Sequence, residues 1–185
     1  MSLRAILFDM DGTMADTERL GHRPAYNNAF KEAGLNWRWG PKLYRRLLRQ
    51  PGGGRDRLRH YLESYKPAMG PLSDAADDPD SLVSDLHARK AQHFDKLLRK
   101  GKVPLRAGVA RLMDEAHAEG IRLAVVTNAS RASLASMLQH SVGDVLRQRL
   151  DLVLCGDEGV AKKPAPDLYN TALQRLGIPA GDSVA

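Results

Sequence analysis

Two carboxylates two positions apart, Asp9 and Asp11, follow directly on the short apolar run Ala5-Ile6-Leu7-Phe8 and lead into a turn at Gly12. In extended backbone, side chains at that spacing point to the same side. Beyond the carboxyl end of a buried parallel strand they would project into the crevice where open α/β sheets bind ligands. Carboxylates that close repel each other, and either a bound divalent cation or a proton on one of them relieves the repulsion. Both arrangements suit phosphoryl transfer. Taken alone, Asp-x-Asp-Gly reads just as well as an acidic turn capping the next helix.

The elements that must position these groups come from the periodicity. Arg4 to Phe8 reads as a buried strand closed by the Asp11-Gly12 turn. Val109 to Glu119 has a helical period, Gly120 breaks it, and Ile121 to Val126 reads as a second strand, ending in Thr127-Asn128. Arg131 to Gln139 is a helix with Ser130 as its cap, and Leu152-Val153-Leu154 is a further strand. The last helix, Pro166 to Leu176, starts with proline and acid and stops at Gly177. Alternating strands and helices imply a doubly wound parallel sheet. Between Thr17 and about Lys102 only helical periods occur, such as Ala25-Ala29-Phe30-Ala33, so this stretch is an inserted helical domain. The expected division is an α/β core of residues 1–16 and 103–185 and a cap of residues 17–102. The run from Met69 through Asp80 is rich in turn-formers and acids and reads as an exposed loop.

Three strings in order, Ile6 to Thr13, Leu123 to Asn128, and Lys162-Lys163-Pro164-Ala165-Pro166-Asp167, resemble the first three signatures of the haloacid dehalogenase-like phosphatases. The resemblance implies a Rossmann-like core in which Asp9 attacks phosphorus, Asp11 acts as general acid and then base, and Thr127 and Lys163 bind phosphoryl oxygens. It further implies Mg²⁺ on the Asp9 carboxylate and the Asp11 main-chain carbonyl, with Asn128 among the substrate-binding groups. Thr13 stands where the related sugar phosphomutases commonly carry valine, which favours hydrolysis over mutase chemistry. A phosphomutase using the same aspartyl-phosphate is the alternative within enzymes.

The inserted segment resembles the cap of the CbbY-type members through Asp16-Thr17-Glu18, Gly21-His22-Arg23, Tyr26-Asn27, Ala33-Gly34-Leu35 with Trp37 and Trp39, and Gly53-Gly54-Arg55-Asp56-Arg57. Those members act on xylulose-1,5-bisphosphate, and the resemblance implies a small phosphorylated sugar as partner, met by Glu18, His22, Gly54 and Arg55. Gly53-Gly54 beside Arg55 and Arg57 would offer amides and guanidinium forks to a second phosphate. Gln50-Pro51-Gly52 carries one residue more than the pattern, and arginine and aspartate at 55 and 56 replace its lysine and glutamate. Trp37 and Trp39 are expected to pack the cap. The family's fourth signature, an acidic pair after a further strand, has no counterpart. The sequence ends at Asp182-Ser183-Val184-Ala185, where that strand should begin, so a core incomplete at its carboxyl end is expected. A non-catalytic phosphate-binding protein is the corresponding alternative.

Composition narrows the field. With 43% hydrophobic and 27% charged residues, the 185-residue chain is globular, neither disordered nor membrane-spanning. The first apolar run is interrupted by Asp9 too early for a signal segment, and a cytoplasmic, membrane-free protein is expected. One cysteine, Cys155, excludes an intrachain disulfide and suits a small buried residue at a strand end. A formal charge of +6 fits a phosphate-binding enzyme, whereas the basic stretches, Lys42 to Arg59 and Arg89 to Lys102, have few of the interleaved aromatics of a nucleic-acid binder.

Overall fold

The computed structural model describes residues 2–70, 72, 78–158 and 160–185. The chain separates into two compact units, Met1–Thr17 with Leu98–Ala185, and Glu18–Leu97.

In the first unit, strand β1 (Ala5–Phe8) is fully buried. In the second unit a π-helical turn, Glu18–His22, runs into helix α1 (Arg23–Glu32), followed by α2 (Pro41–Leu47), α3 (Gly54–Tyr65) and α4 (Pro79–Arg99), whose last two residues fall in the first unit. The first unit resumes with α5 (Val109–Ala118), β2 (Arg122–Val126), α6 (Arg131–Met137), the short α7 (Asp144–Arg147), β3 (Leu152–Leu154), α8 (Asp167–Leu176) and β4 (Ser183–Val184).

The sheet is wholly parallel in the order β3-β2-β1-β4. The central strand β1 and, beyond Arg122, β2 are continuous apolar runs because both of their faces are covered. Ala5 and Leu7 of β1 and Ala124 and Val126 of β2 pack with Leu154, with Leu168 and Ala172 of α8, and with Ile178. The alternate residues Leu123 and Val125 are also fully buried, and α5 lies against β2. Expected elements and observed ones agree within about two residues at most ends. Ser130 caps α6 by accepting a hydrogen bond from Ser133 N–H, and Gly177 ends α8 at φ +65°. Ser183 and Val184, where a further strand is expected to begin, pair with Ala5 and Ile6.

The second unit is organised by aromatic contacts. Trp39 is fully buried, with its ring 4.5 Å from that of Tyr26, 5.1 Å from Phe30 and 5.2 Å from Tyr61. Trp37, 7% exposed, meets Phe30 and Tyr61 edge-on and donates its indole N–H to the Ala68 carbonyl. Both tryptophans therefore pack the cap as expected. Asn27 clasps the Trp39 main chain, donating to its carbonyl at 3.2 Å and accepting from its N–H at 2.8 Å. The expected loop from Met69 through Asp80 lies partly outside the described residues, at 71 and 73–77. Its last two residues are corrected: Pro79 and Asp80 open α4, with proline and acid in the first turn.

Trp39→Ala would remove the largest fully buried ring of this unit, and truncations of that size cost about 3–5 kcal/mol. Urea unfolding followed by circular dichroism should show a correspondingly lower midpoint; an unchanged midpoint would take Trp39 out of the core.

Candidate active site

The carboxyl ends of the parallel strands carry the candidate groups of the first unit. Register pairs Phe8 with Val125, so Asp9 and Val126 leave the sheet at neighbouring positions, and Thr127 follows on β2. The strand stops at Phe8. Met14 N–H bonds back to the carbonyls of Asp9 and Met10, and Gly12 N–H to that of Ala15. Past the end of β1 the chain therefore turns across Met10 to Met14, with Asp11 bridged to Ala15. Gly12, at φ +80°, takes a conformation that only glycine adopts freely. Arg106 secures the turn from outside, its guanidinium donating to the Gly12 carbonyl at 2.6 Å and its own N–H to that of Met14 at 2.8 Å. Sequence reasoning missed this arginine, and nothing in its local pattern marks it.

Lys163 arrives from the loop before α8. Its ammonium donates to Asp9 Oδ1 at 2.6 Å and to the Val126 carbonyl at 2.8 Å, and lies 5.4 Å from the Tyr169 ring centroid. An ammonium has three donors, so one remains. Thr127 is 1% exposed and accepts from Ala129 N–H through Oγ1. Asn128 engages the Lys163 main chain with both amide atoms, donating from Nδ2 to its carbonyl and accepting at Oδ1 from its N–H, each at 2.9 Å. Asp9, Thr127, Asn128 and Lys163 thus gather, and Asp11 is half-buried on the turn beside Asp9. Cys155 is buried immediately after β3, as expected. Among the described residues, no three or more His, Cys, Asp or Glu form a metal cluster.

The second unit holds the other candidates. Glu18 accepts a very short hydrogen bond from Tyr44 Oη, and the Arg57 guanidinium lies 5.6 Å from the Tyr44 ring centroid. Burial, and the Glu18 charge beside it, push the Tyr44 hydroxyl far above its ordinary range, so it remains a donor. Burial likewise raises Tyr26 to about 12, and its hydroxyl donates to the Gly54 carbonyl at 3.0 Å. A Cβ on Gly54 would lie 2.7 Å from Tyr26 Oη and 2.8 Å from His87 Nε2, so glycine is needed there for close packing. His22 stacks on Phe94 at 4.1 Å, and Arg55 is exposed. Gly52 lies at φ +103°, and Asp56 reaches back to accept from Gly53 N–H at 2.7 Å at the start of α3. Sequence reasoning did not single out Tyr44 or His87 as part of this cluster.

The family model for haloacid dehalogenase-like hydrolases matches residues 3–185. The chain belongs to that family. It is accordingly an enzyme of the phosphatase class. The CbbY protein of Cupriavidus necator is 40% identical over 183 residues, covering 99% of this chain and 70% of that protein. Two crystal structures of CbbY from Rhodobacter sphaeroides superpose closely. One, in complex with phosphate, has a TM-score of 0.80 at 38% identity and covers 99% of this chain and 76% of that one. The other, an Asp-to-Asn mutant in complex with xylulose-1,5-bisphosphate, has a TM-score of 0.79 at 37% identity over the same shares. No described helix of this family member is long and apolar enough to cross a membrane.

His87 offers a check on the polar cluster of the second unit. Burial first, then the charges of Lys90, Arg55 and His22, lower its pKa from 6.5 to about 4. As pH falls from about 6.5 toward 4, the unfolded chain takes up a proton that folded His87 refuses, so stability drops across that window. His87→Gln should shrink the difference between urea midpoints at pH 7 and pH 5. An equal difference in both proteins would show that His87 titrates normally.

Proposed function

We propose that this chain is a Mg²⁺-dependent sugar-phosphate phosphatase working through an aspartyl-phosphate on Asp9, with a sugar bisphosphate such as xylulose-1,5-bisphosphate as substrate. The observation that carries this reading is the ammonium of Lys163 bridging Asp9 Oδ1 and the Val126 carbonyl at the strand ends. A carboxylate approaching a phosphate dianion meets like charge. Each such pair of unit charges about 4 Å apart costs about 4 kcal/mol at an effective dielectric of 20, nearly a thousandfold in rate. A fixed cation touching the carboxylate, with one N–H left for a phosphoryl oxygen, offsets that cost without reorganisation.

In this mechanism Asp9 attacks phosphorus in line, the bond to the leaving oxygen breaks, and Asp11 delivers a proton to that oxygen. Asp11 then takes a proton from water as the water attacks the aspartyl-phosphate, and the phosphorus–Asp9 bond breaks to release phosphate. Thr127 and the free donor of Lys163 hold the equatorial oxygens through both steps. The Asp9 carboxylate and the Asp11 main-chain carbonyl are hard oxygen donors. They suit Mg²⁺, which takes few protein ligands and completes its shell with water and phosphate. When bound, Mg²⁺ would neutralise further negative charge on the phosphoryl group. Glu18, His22, Gly54 and Arg55, with Tyr44 and Arg57 beside them, are the proposed selectors of the sugar and its second phosphate. The bisphosphate bound by the CbbY protein of Rhodobacter sphaeroides supports that substrate class.

Phosphate release should be measured from xylulose-1,5-bisphosphate and a panel of sugar monophosphates, with Mg²⁺ and with EDTA. Release is expected to need Mg²⁺, to be greatest on the bisphosphate, and to fall by roughly 10⁴-fold or more in Asp9→Asn. Undiminished release by that variant would remove Asp9 as nucleophile, and relocation of phosphate within the sugar in place of release would mark a mutase.

A further inference from the structure

We propose that Asn128 is a positioning residue, whose side-chain amide clasps the main chain of Lys163 and so sets the ammonium against Asp9, and that it does not itself touch the phosphoryl group. This rests on the reading of Asp9 and Lys163 given above. Both polar atoms of the amide are used on one residue 35 positions away, Nδ2 on its carbonyl and Oδ1 on its N–H, each at 2.9 Å. The paired bonds close a ring like one rung of a β-ladder and fix the Lys163 backbone in position and in rotation. The lysine stem starts from that fixed point, and its ammonium reaches Asp9 Oδ1 and the Val126 carbonyl together. Among the described residues, Asn128 is the side chain at the β2 end that bonds the Lys163 main chain.

The clasp is itself backed. Gly156 N–H donates to the Ala129 carbonyl at 2.8 Å, and a Cβ on Gly156 would lie 2.4 Å from the main-chain oxygen of Asn128. The backbone of the loop after β3 therefore presses directly on that of Asn128. Asp157 accepts from Arg131 N–H at 2.6 Å, and Glu158 pairs with both Arg131 and Arg175, tying the same loop to α6 and α8. The helical unit uses an asparagine in the same manner, Asn27 on the main chain of Trp39. An amide keeps one further N–H and one lone pair after such a clasp. A direct contact with substrate is thus the competing role, and the two roles differ in a double-mutant cycle.

Single-turnover hydrolysis of p-nitrophenyl phosphate with Mg²⁺ should be measured in the parent chain, Lys163→Ala, Asn128→Ala and the double variant, with Asn128→Leu as a second replacement of similar volume. Asn128→Ala should slow the parent roughly 10- to 100-fold, the penalty for moving a catalytic group by about 1 Å. In the Lys163→Ala background, either Asn128 replacement should change the rate by less than about 3-fold, because there is no longer an ammonium to position. Thermal unfolding midpoints should shift equally in the two backgrounds, separating positioning from general stability. Equal rate losses in both backgrounds, or no loss in the parent, would overturn the proposal. If Lys163→Ala itself leaves the rate unchanged, the role given to Lys163 fails, and the positioning role goes with it.

Discussion

The ion pair between Lys163 and Asp9 is the contact on which the first unit's architecture converges. Its partners are 154 residues apart in sequence, and three independent features must agree for them to meet. Parallel register between β1 and β2 has to bring Asp9 beside the Val126 carbonyl. The turn after Phe8 has to stop the strand there, which it does through the bonds from Met14 N–H and through Gly12. The loop before α8 has to present the lysine at the right height, which the Asn128 clasp secures. The lysine side chain is only 14% exposed, so most of its hydration is given up and replaced by Asp9, the Val126 carbonyl and the face of Tyr169. A partly desolvated cation is stable in such a place only beside an anion, which makes the pair a constraint on both loops.

Sheet order and helix cover serve this same end. Covering both faces of β1 and of β2 beyond Arg122 makes those segments continuous apolar runs, and their functional polar side chains then appear where the strands stop. For that reason Asp9 and Thr127, each directly after an apolar run, were legible as candidate site positions from the chain alone. The strands and most helices were legible too, because Gly120, Ser130 and Gly177 punctuate them with distinct backbone chemistry. The turn past Phe8 was less legible, because the hydrogen bonds that shape it come from Met14 N–H, whose side chain gives no signal of this. Arg106, and the clasp that Asn128 makes, were missed for a related reason. Their partners are main-chain groups, and a main-chain acceptor leaves no trace in the sequence of the segment that supplies it.

The helical unit follows a different logic. Its core is aromatic, and the residues that resemble a cap signature divide between packing and polar display. Trp37, Trp39 and Tyr26 pack, and Gly54 is glycine because Tyr26 and His87 occupy the space a side chain would need. Glu18, Tyr44 and Arg57 form a polar line in which a buried hydroxyl is held protonated beside a carboxylate. The polar line and the aromatic core thus belong to one separately packed unit, and Asp9, Thr127 and Lys163 to the other.

The central claim is that Asp9 forms a covalent bond to phosphorus, and trapping that bond tests it most directly. The chain would be mixed for milliseconds with ³²P-labelled substrate and Mg²⁺, quenched in acid and digested, and the labelled peptide identified by mass spectrometry. The account predicts acid-stable, alkali-labile label on the peptide containing Asp9, absent from Asp9→Asn. Full phosphate release with label on no peptide, or on a peptide lacking Asp9, would contradict it.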